Sequence, residues 1–268
     1  MRLDNFRRSS NVSDRRGMGA KSVGGVGGIF ALALIVYLMG GNPASLIMEG
    51  VNRTIQSSAS RPSKLSPQQQ AEQADFAAAV LGSTEDVWSQ YVANGTYPPA
   101  QMVLFAGATD TACGTGQSAM GPFYCPNDQS VYLDLDFFEE LDAKLGAPGD
   151  FARAYVIAHE VGHHIQNLQG NLAKRKDNAS SVKTELQADC YAGIWAHHVA
   201  EFGALEDGDL QEAIRAAGQV GDDKMQEKAQ GYAVPDSFTH GTAQQRMQWF
   251  KTGFDSGEPA KCDTFGNK

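Results

Sequence analysis

The sequence predicts a helix-dominated α+β domain with a small sheet, preceded by a single N-terminal transmembrane helix. Three observations predict this. Four long stretches beyond residue 148 carry apolar residues at helical spacing or a capping residue at their start. The stretch Ser130–Leu135 alternates as a half-buried strand does. A charge-free window runs from Ser22 to Met48 and holds an apolar run.

Composition narrows the class. The chain has 268 residues, 22 Lys plus Arg and 31 Asp plus Glu, for a net charge of −9. Hydrophobic residues at 42% and charged residues at 20% are ordinary globular values, which excludes full disorder, a collagen-like rod and a multi-span membrane protein. The charge is uneven. Arg2, Arg7, Arg8, Arg15, Arg16 and Lys21 stand against only Asp4 and Asp14 in residues 1–23, so the remaining body is strongly acidic. An acidic body is a poor counterion for phosphates, and nucleic acid is not an expected partner.

Residues 1–23 read as a basic cytoplasmic leader, and 24–41 as a transmembrane anchor or uncleaved signal. The apolar core is Val26–Met39. The pairs Gly24–Gly25 and Gly40–Gly41 extend it towards the roughly 17–25 residues a span needs. A cleaved signal peptide competes, because the core is short. Against it, the leader is long and no Ala-x-Ala site follows Met39. Basic residues before the span place the N-terminus in the cytoplasm and the body outside it. Residues 42–69, rich in Ser and Gln with no sustained apolar period, read as a flexible linker. Residues 70–268 form the folded domain.

Within the domain, residues 70–94 have helical spacing, and Ser83-Thr-Glu-Asp86 looks like a fresh N-cap that splits them into two helices. Met102–Phe105 is a short strand, Gly107–Pro122 a Gly-rich loop, and Phe137–Leu145 a helix stopped by Gly146 and Pro148. Helices follow from Gly149 to Gly170, from Ser180 to Gly203, from Leu210 to Met225, and from a capping box at Thr242. Cys113, Cys125, Cys190 and Cys262 form an even set without a CxxC pair, which argues against a zinc ribbon. Outside the cytoplasm two disulfides are the natural outcome, in one of three pairings. Local closure favours Cys113–Cys125, leaving Cys190–Cys262. The alternative is free buried thiols.

The chemistry lies in His159-Glu160-Val-Gly-His163, an H-E-x-x-H pattern in a helical run. At about 100° per residue, His159 and His163 share a face roughly 6 Å apart along the axis, where two imidazoles can hold one zinc ion. Glu160 lies a step round, where its carboxylate can reach a zinc-activated water without being a ligand. The plain alternative is a buried His pair. A catalytic zinc usually has three protein ligands. The next helix offers Glu185 and Asp189 on one face within a mostly apolar stretch, where buried acids need a reason. Glu185 is the expected third ligand. Asp189, one turn on, is placed to accept a ring N–H from a ligand His. A solvated acidic face is the competing reading. His164 reads as a neighbour on the flank, and His197 and His198 as structural.

His-Glu-Val-Gly-His-His (159–164), Glu-Leu-Gln-Ala-Asp-Cys (185–190), Gly-Pro-Phe-Tyr-Cys-Pro (121–126), Val-Tyr-Leu-Asp-Leu (131–135) and Asp-Ser-Phe-Thr-His-Gly (236–241) together resemble the bacterial putative neutral zinc metallopeptidase family. The match runs from about residue 70 to the C-terminus. The order H-E-x-x-H, E-x-x-A-D, T-H-x…R is also similar to membrane-linked zinc endopeptidases of the CAAX-processing and heat-shock type. The resemblance implies a zincin-like fold and one Zn2+ held by His159, His163 and Glu185, with Asp189 behind them. A loop His near zinc can donate to a developing oxyanion, and the related peptidases place a His in a turn like that of His240, with Arg246 as the anchor of the turn. A helix-capping or surface His is the competing reading.

The expected function is a membrane-anchored zinc-dependent endopeptidase with Glu160 as general base and a peptide or protein substrate. The expected location is the bacterial inner membrane, with the catalytic domain periplasmic and the N-terminal helix as the membrane contact. Strand Val131–Leu135 is expected to pair with an extended substrate. Two alternatives stay open: a non-catalytic zinc-stabilised envelope binding protein, and a zinc amidase acting on a non-peptide amide.

Overall fold

Residues 1–17, 63–91, 97–143, 146–172 and 177–266 are described in the computed structural model. Six short strands occur among them. They are β1 (Val12–Asp14), β2 (Gln101–Phe105), β3 (Ala108–Thr111), β4 (Gly114–Gln117), β5 (Phe123–Cys125) and β6 (Ser130–Asp134). One sheet has the order β1-β2-β6-β5. β1, β2 and β6 run parallel, with Val12 opposite Met102 and Met102 opposite Val131. β5 lies antiparallel on the edge, with Tyr124 opposite Val131. β3 and β4 form a separate antiparallel hairpin inside the stretch expected to be a loop. β6 is buried along its whole length, and β2 in all but its first residue, as interior parallel strands are.

The helices are α1 (Pro67–Trp88), α2 (Asp136–Ala143), α3 (Asp150–Leu168), α4 (Asn178–Glu201), α5 (Asp209–Gln219), α6 (Asp222–Gln230) and α7 (Ala243–Ser256). Capping boxes at Ser66, Asp177 and Thr242 start α1, α4 and α7. α1 is not broken at Ser83–Asp86. The Ser83 and Thr84 hydroxyls donate back to the Val80 and Leu81 carbonyls, so the capping-type residues stay inside the helix. The single helix expected over 210–225 is two helices, separated at Val220–Gly221.

α4 and α7 make the closest helix pair. A Cβ on Gly193 would stand 2.1 Å from the Phe250 carbonyl oxygen, and one on Gly253 would stand 1.9 Å from that of Cys190. Only glycine permits this approach, which sets α7 against the middle of α4. Phe151 stacks on Trp195 at 5.5 Å, and Tyr155 meets Phe250 edge-on at 5.5 Å, in the core between α3, α4 and α7. The disulfides are Cys113–Cys125, at the hairpin and β5, and Cys190–Cys262, which ties the chain's last described segment to α4.

The expected membrane topology is corrected here. Among the described residues no helix is long and apolar enough to cross a membrane. The segment 24–41, on which the single-pass inner-membrane reading rested, lies outside the described residues. The stretch read as a cytoplasmic leader belongs to the same body as α3 and α4. β1 pairs with β2, and Met1 and Leu3 are buried in the core. A single crossing between residues 17 and 63 would divide one sheet between two sides of a membrane. The stretch read as linker also ends in structure. Ser63 donates to Asp136, and α1 begins at Pro67.

Residues 1–17 are tied in by charge as well as pairing. The buried Glu85 carboxylate accepts from Ser9 Oγ at 2.6 Å and Asn11 Nδ2 at 2.8 Å, and pairs with Arg7 at 2.6 Å. Arg7 is half-exposed, but Glu85 is buried, and loss of residues 1–17 would leave its carboxylate without these three partners. A chain starting at residue 63 is therefore expected to unfold at markedly lower urea concentration than the full chain. Glu85→Gln should recover part of the loss in that shortened chain, because it removes the stranded charge.

Candidate metal centre

α3 and α4 pack side by side and turn His159, His163 and Glu185 towards each other. Their donor atoms all lie within 4.8 Å of one another. Glu185 Oε2 is 3.2 Å from His159 Nε2 and 3.5 Å from His163 Nε2. The two rings stand 4.8 Å apart, nearly perpendicular. All three side chains are largely buried.

The tautomers follow from the neighbours. His159 Nδ1 lies 2.9 Å from Asp189 Oδ1, and a carboxylate only accepts, so Nδ1 carries the proton. His163 Nδ1 lies 2.8 Å from Gln166 Oε1. The Gln166 amide nitrogen is committed to the Thr184 carbonyl at 2.7 Å and to Gln187 Oε1 at 3.1 Å, so its oxygen faces the ring. In the neutral form of each ring the Nε2 lone pair therefore faces the Glu185 carboxylate. Lone pairs facing an anion repel unless a cation sits among them.

The electrostatics agree. Burial pushes His159 down, but Asp189 and Glu185 more than offset this and raise it to about 9. Burial would raise Glu185, yet His163 and His159 hold it well below the usual carboxylate range. The cluster demands positive charge, from protons or from a metal ion. Two imidazole nitrogens and one carboxylate oxygen form a donor set that suits zinc.

Asp189 is buried without solvent exposure and fully engaged. It accepts from Tyr155 Oη at 2.6 Å and from Arg246 through Nε at 2.8 Å and a terminal nitrogen at 2.9 Å. Burial pushes its carboxyl up, but Arg246 and His159 hold it below the usual range. The expected role of Arg246 as the anchor of the His240 turn is thus corrected. Its fork grips Asp189, and its remaining nitrogen donates to the Val220 carbonyl at 3.1 Å, where α5 ends. Behind His163, Gln187 donates its amide to the Cys262 carbonyl at 2.9 Å, so the disulfide-held tail backs α4.

Glu160, next to His159, is buried, and that burial raises its carboxyl above the usual range. It lines a cleft of about 810 Å³ together with His159, His163 and Glu185. Met120, Phe123, Phe137, Val156 and Met225 give the cleft an apolar wall. His240 reaches the same cleft from the turn before α7. There Asp222 holds it, accepting backbone N–H groups of Thr239, His240 and Gly241 at 2.6–3.0 Å and lying 3.1 Å from His240 Nδ1. His164 is buried away from the donors, between the Pro98 carbonyl and Tyr124 Oη. The strand expected to receive substrate, β6, has both edges paired, to β2 and β5, so it cannot add another strand. The sheet edge beside the cleft is β5.

Tyr155, Gln166, Gln187 and Asp222 were not singled out from sequence. Gln166 was findable, since it stands at i+3 from His163 on the same helix face. Tyr155 at i−4 from His159 carries the same signal. Gln187 and Asp222 come from other elements and have no local signature.

A family model described as "Putative neutral zinc metallopeptidase" matches residues 1–265. "Uncharacterized protein YpfJ" of Escherichia coli (strain K12) is 47% identical over 288 aligned positions, covering 99% of each chain. "Uncharacterized protein Rv2575" of Mycobacterium tuberculosis (strain H37Rv) and "Uncharacterized protein Mb2605" of Mycobacterium bovis are each 44% identical over 203 positions, covering 70% of this chain and 69% of theirs. No solved structure matches.

Proposed function

Because the chain belongs to the putative neutral zinc metallopeptidase family, we propose that it is a zinc-dependent endopeptidase with Glu160 as general base. The observation that carries this reading is the convergence of two imidazole lone pairs on one carboxylate within a cleft that Glu160 also lines. Three protein donors is the number typical of catalytic zinc sites, whereas structural sites use four. All four cysteines are in disulfides, so none can serve as a fourth. This favours catalysis over a purely structural metal.

When bound, zinc supplies Lewis acidity to a scissile carbonyl and to the attacking water. The protein's own groups do the rest. Glu160 takes the water proton during attack and returns it to the leaving amine, a double duty that suits a carboxyl raised by burial. Asp189, clamped by Arg246 and Tyr155, keeps the proton on His159 Nδ1 and so keeps Nε2 a donor to metal. Gln166 does the same for His163. His240, whose Nδ1–H is given to Asp222, donates from Nε2 as the imidazolium to the substrate's carbonyl oxygen as negative charge develops there. An extended peptide adds to β5 and lays large apolar side chains against Met120, Phe137 and Met225.

The test is an unbiased cleavage profile of the full chain against mixed peptides. Cleavage beside large apolar residues is expected, with activity abolished by a zinc chelator and restored by added Zn2+. Cleavage that persists unchanged in chelator would overturn the reading.

A further inference from the structure

The last turn of α4 carries a second convergence of the same kind, formed by His197, His198 and Glu201. Their donor atoms also lie within 4.8 Å of one another. His198 Nδ1 is 2.9 Å from Glu201 Oε2, and His197 Nε2 is 3.8 Å from Glu201 Oε1.

Hydrogen accounting fixes the His197 ring and leaves His198 a metal-binding tautomer. His197 Nδ1 lies 2.6 Å from the Phe254 carbonyl, which only accepts, so that nitrogen carries the proton and Nε2 keeps its lone pair. His198 Nδ1 lies 2.9 Å from the Glu201 carboxylate, which only accepts, so without a metal ion Nδ1 carries the proton and Tyr91 Oη donates to His198 Nε2 at 2.5 Å. Tyr91 has a second acceptor in the Gly257 carbonyl at 2.9 Å, so its hydrogen can turn there while its oxygen accepts from Nε2. In that tautomer two ring lone pairs face one carboxylate, and a metal ion can tie both rings and the carboxylate at once.

The surroundings favour a built site. Each ring has its outer nitrogen anchored, His197 directly by a backbone carbonyl and His198 through Tyr91, the arrangement that orients metal-binding histidines. Gly257 sits at φ 63°, and a Cβ there would stand 2.6 Å from the His197 ring, so the turn after α7 is shaped around that imidazole. The side chains are 30%, 15% and 60% exposed for His197, His198 and Glu201, so an ion can enter from solvent. The end of a helix also favours positive charge.

We propose that His197, His198 and Glu201 bind a second divalent transition-metal ion, separate from the cleft, at the last turn of α4 beside the ends of α1 and α7. Imidazole-rich donors of this type take Ni2+, Cu2+ or Zn2+ and reject Ca2+ and Mg2+. The proposal is independent of the peptidase reading.

Metal-stripped full chain, titrated with Zn2+ alone and Ni2+ alone and weighed by native mass spectrometry, tests it. Two equivalents are expected on the wild type and one on His198→Gln. Glu201→Gln, a conservative change at an exposed position, is expected to weaken the second equivalent at least tenfold while leaving the first intact. A metal stoichiometry and affinity that neither His198→Gln nor Glu201→Gln diminishes would overturn the proposal, whether the wild type binds one equivalent or two; loss of the cleft's equivalent alone would count against the peptidase reading instead.

Discussion

Arg246→Ala is expected to lower the stability of the metal-free protein by about 3–5 kcal/mol. Asp189 is fully buried and both its oxygens accept from the Arg246 fork. Without that fork the carboxylate keeps only Tyr155 Oη and the His159 ring. Taking away one member of a buried pair strands the other, which costs more than the pair's net worth. Val220 loses its carbonyl partner as well, at the end of α5. Urea unfolding should show the midpoint falling with little change in slope. Arg246→Lys should not restore it, because a lone ammonium cannot supply two parallel donors. The double variant Arg246→Met with Asp189→Asn should regain part of the loss, since no charge is then stranded. A loss under 1 kcal/mol in Arg246→Ala would mean that the clamp does not support the ligand helix as described.

The parts of this architecture written in local pattern were legible in the sequence. The H-E-x-x-H spacing fixes its own geometry once a helix is granted, and the placement of Glu185 and Asp189 one turn apart inside apolar residues points to a use for them. The capping box at Thr242 marked one helix start, and the expected start at Ser180 fell within a few residues of another, whose cap is Asp177. The parts fixed by distant contact were not legible. β1 is three residues in a basic stretch, and only its pairing with β2 makes it a strand. The capping signature at Ser83–Asp86 is real chemistry that the tertiary fold overrides, because Ser83 and Thr84 satisfy the backbone from within the helix and Ser83 Oγ also receives Trp195 Nε1. Arg246 looked like the anchor of its own turn because its partner lies 57 residues away. The apolar window at 24–41 has the composition of a membrane span, but composition says nothing of what residues 1–17 pack against.

Glu160→Gln is the change that most directly separates chemistry from architecture. The amide has nearly the shape of the carboxylate, and Glu160 is not among the three converging donors. Metal affinity and fold should therefore be preserved. What is lost is the ability to take and return a proton, a role worth roughly 10²–10⁴-fold in rate. Zinc content and peptide turnover measured on one preparation of this variant, beside wild type, test the central claim. The account predicts wild-type zinc occupancy with turnover reduced about 10³-fold. Wild-type turnover at full zinc occupancy would contradict it.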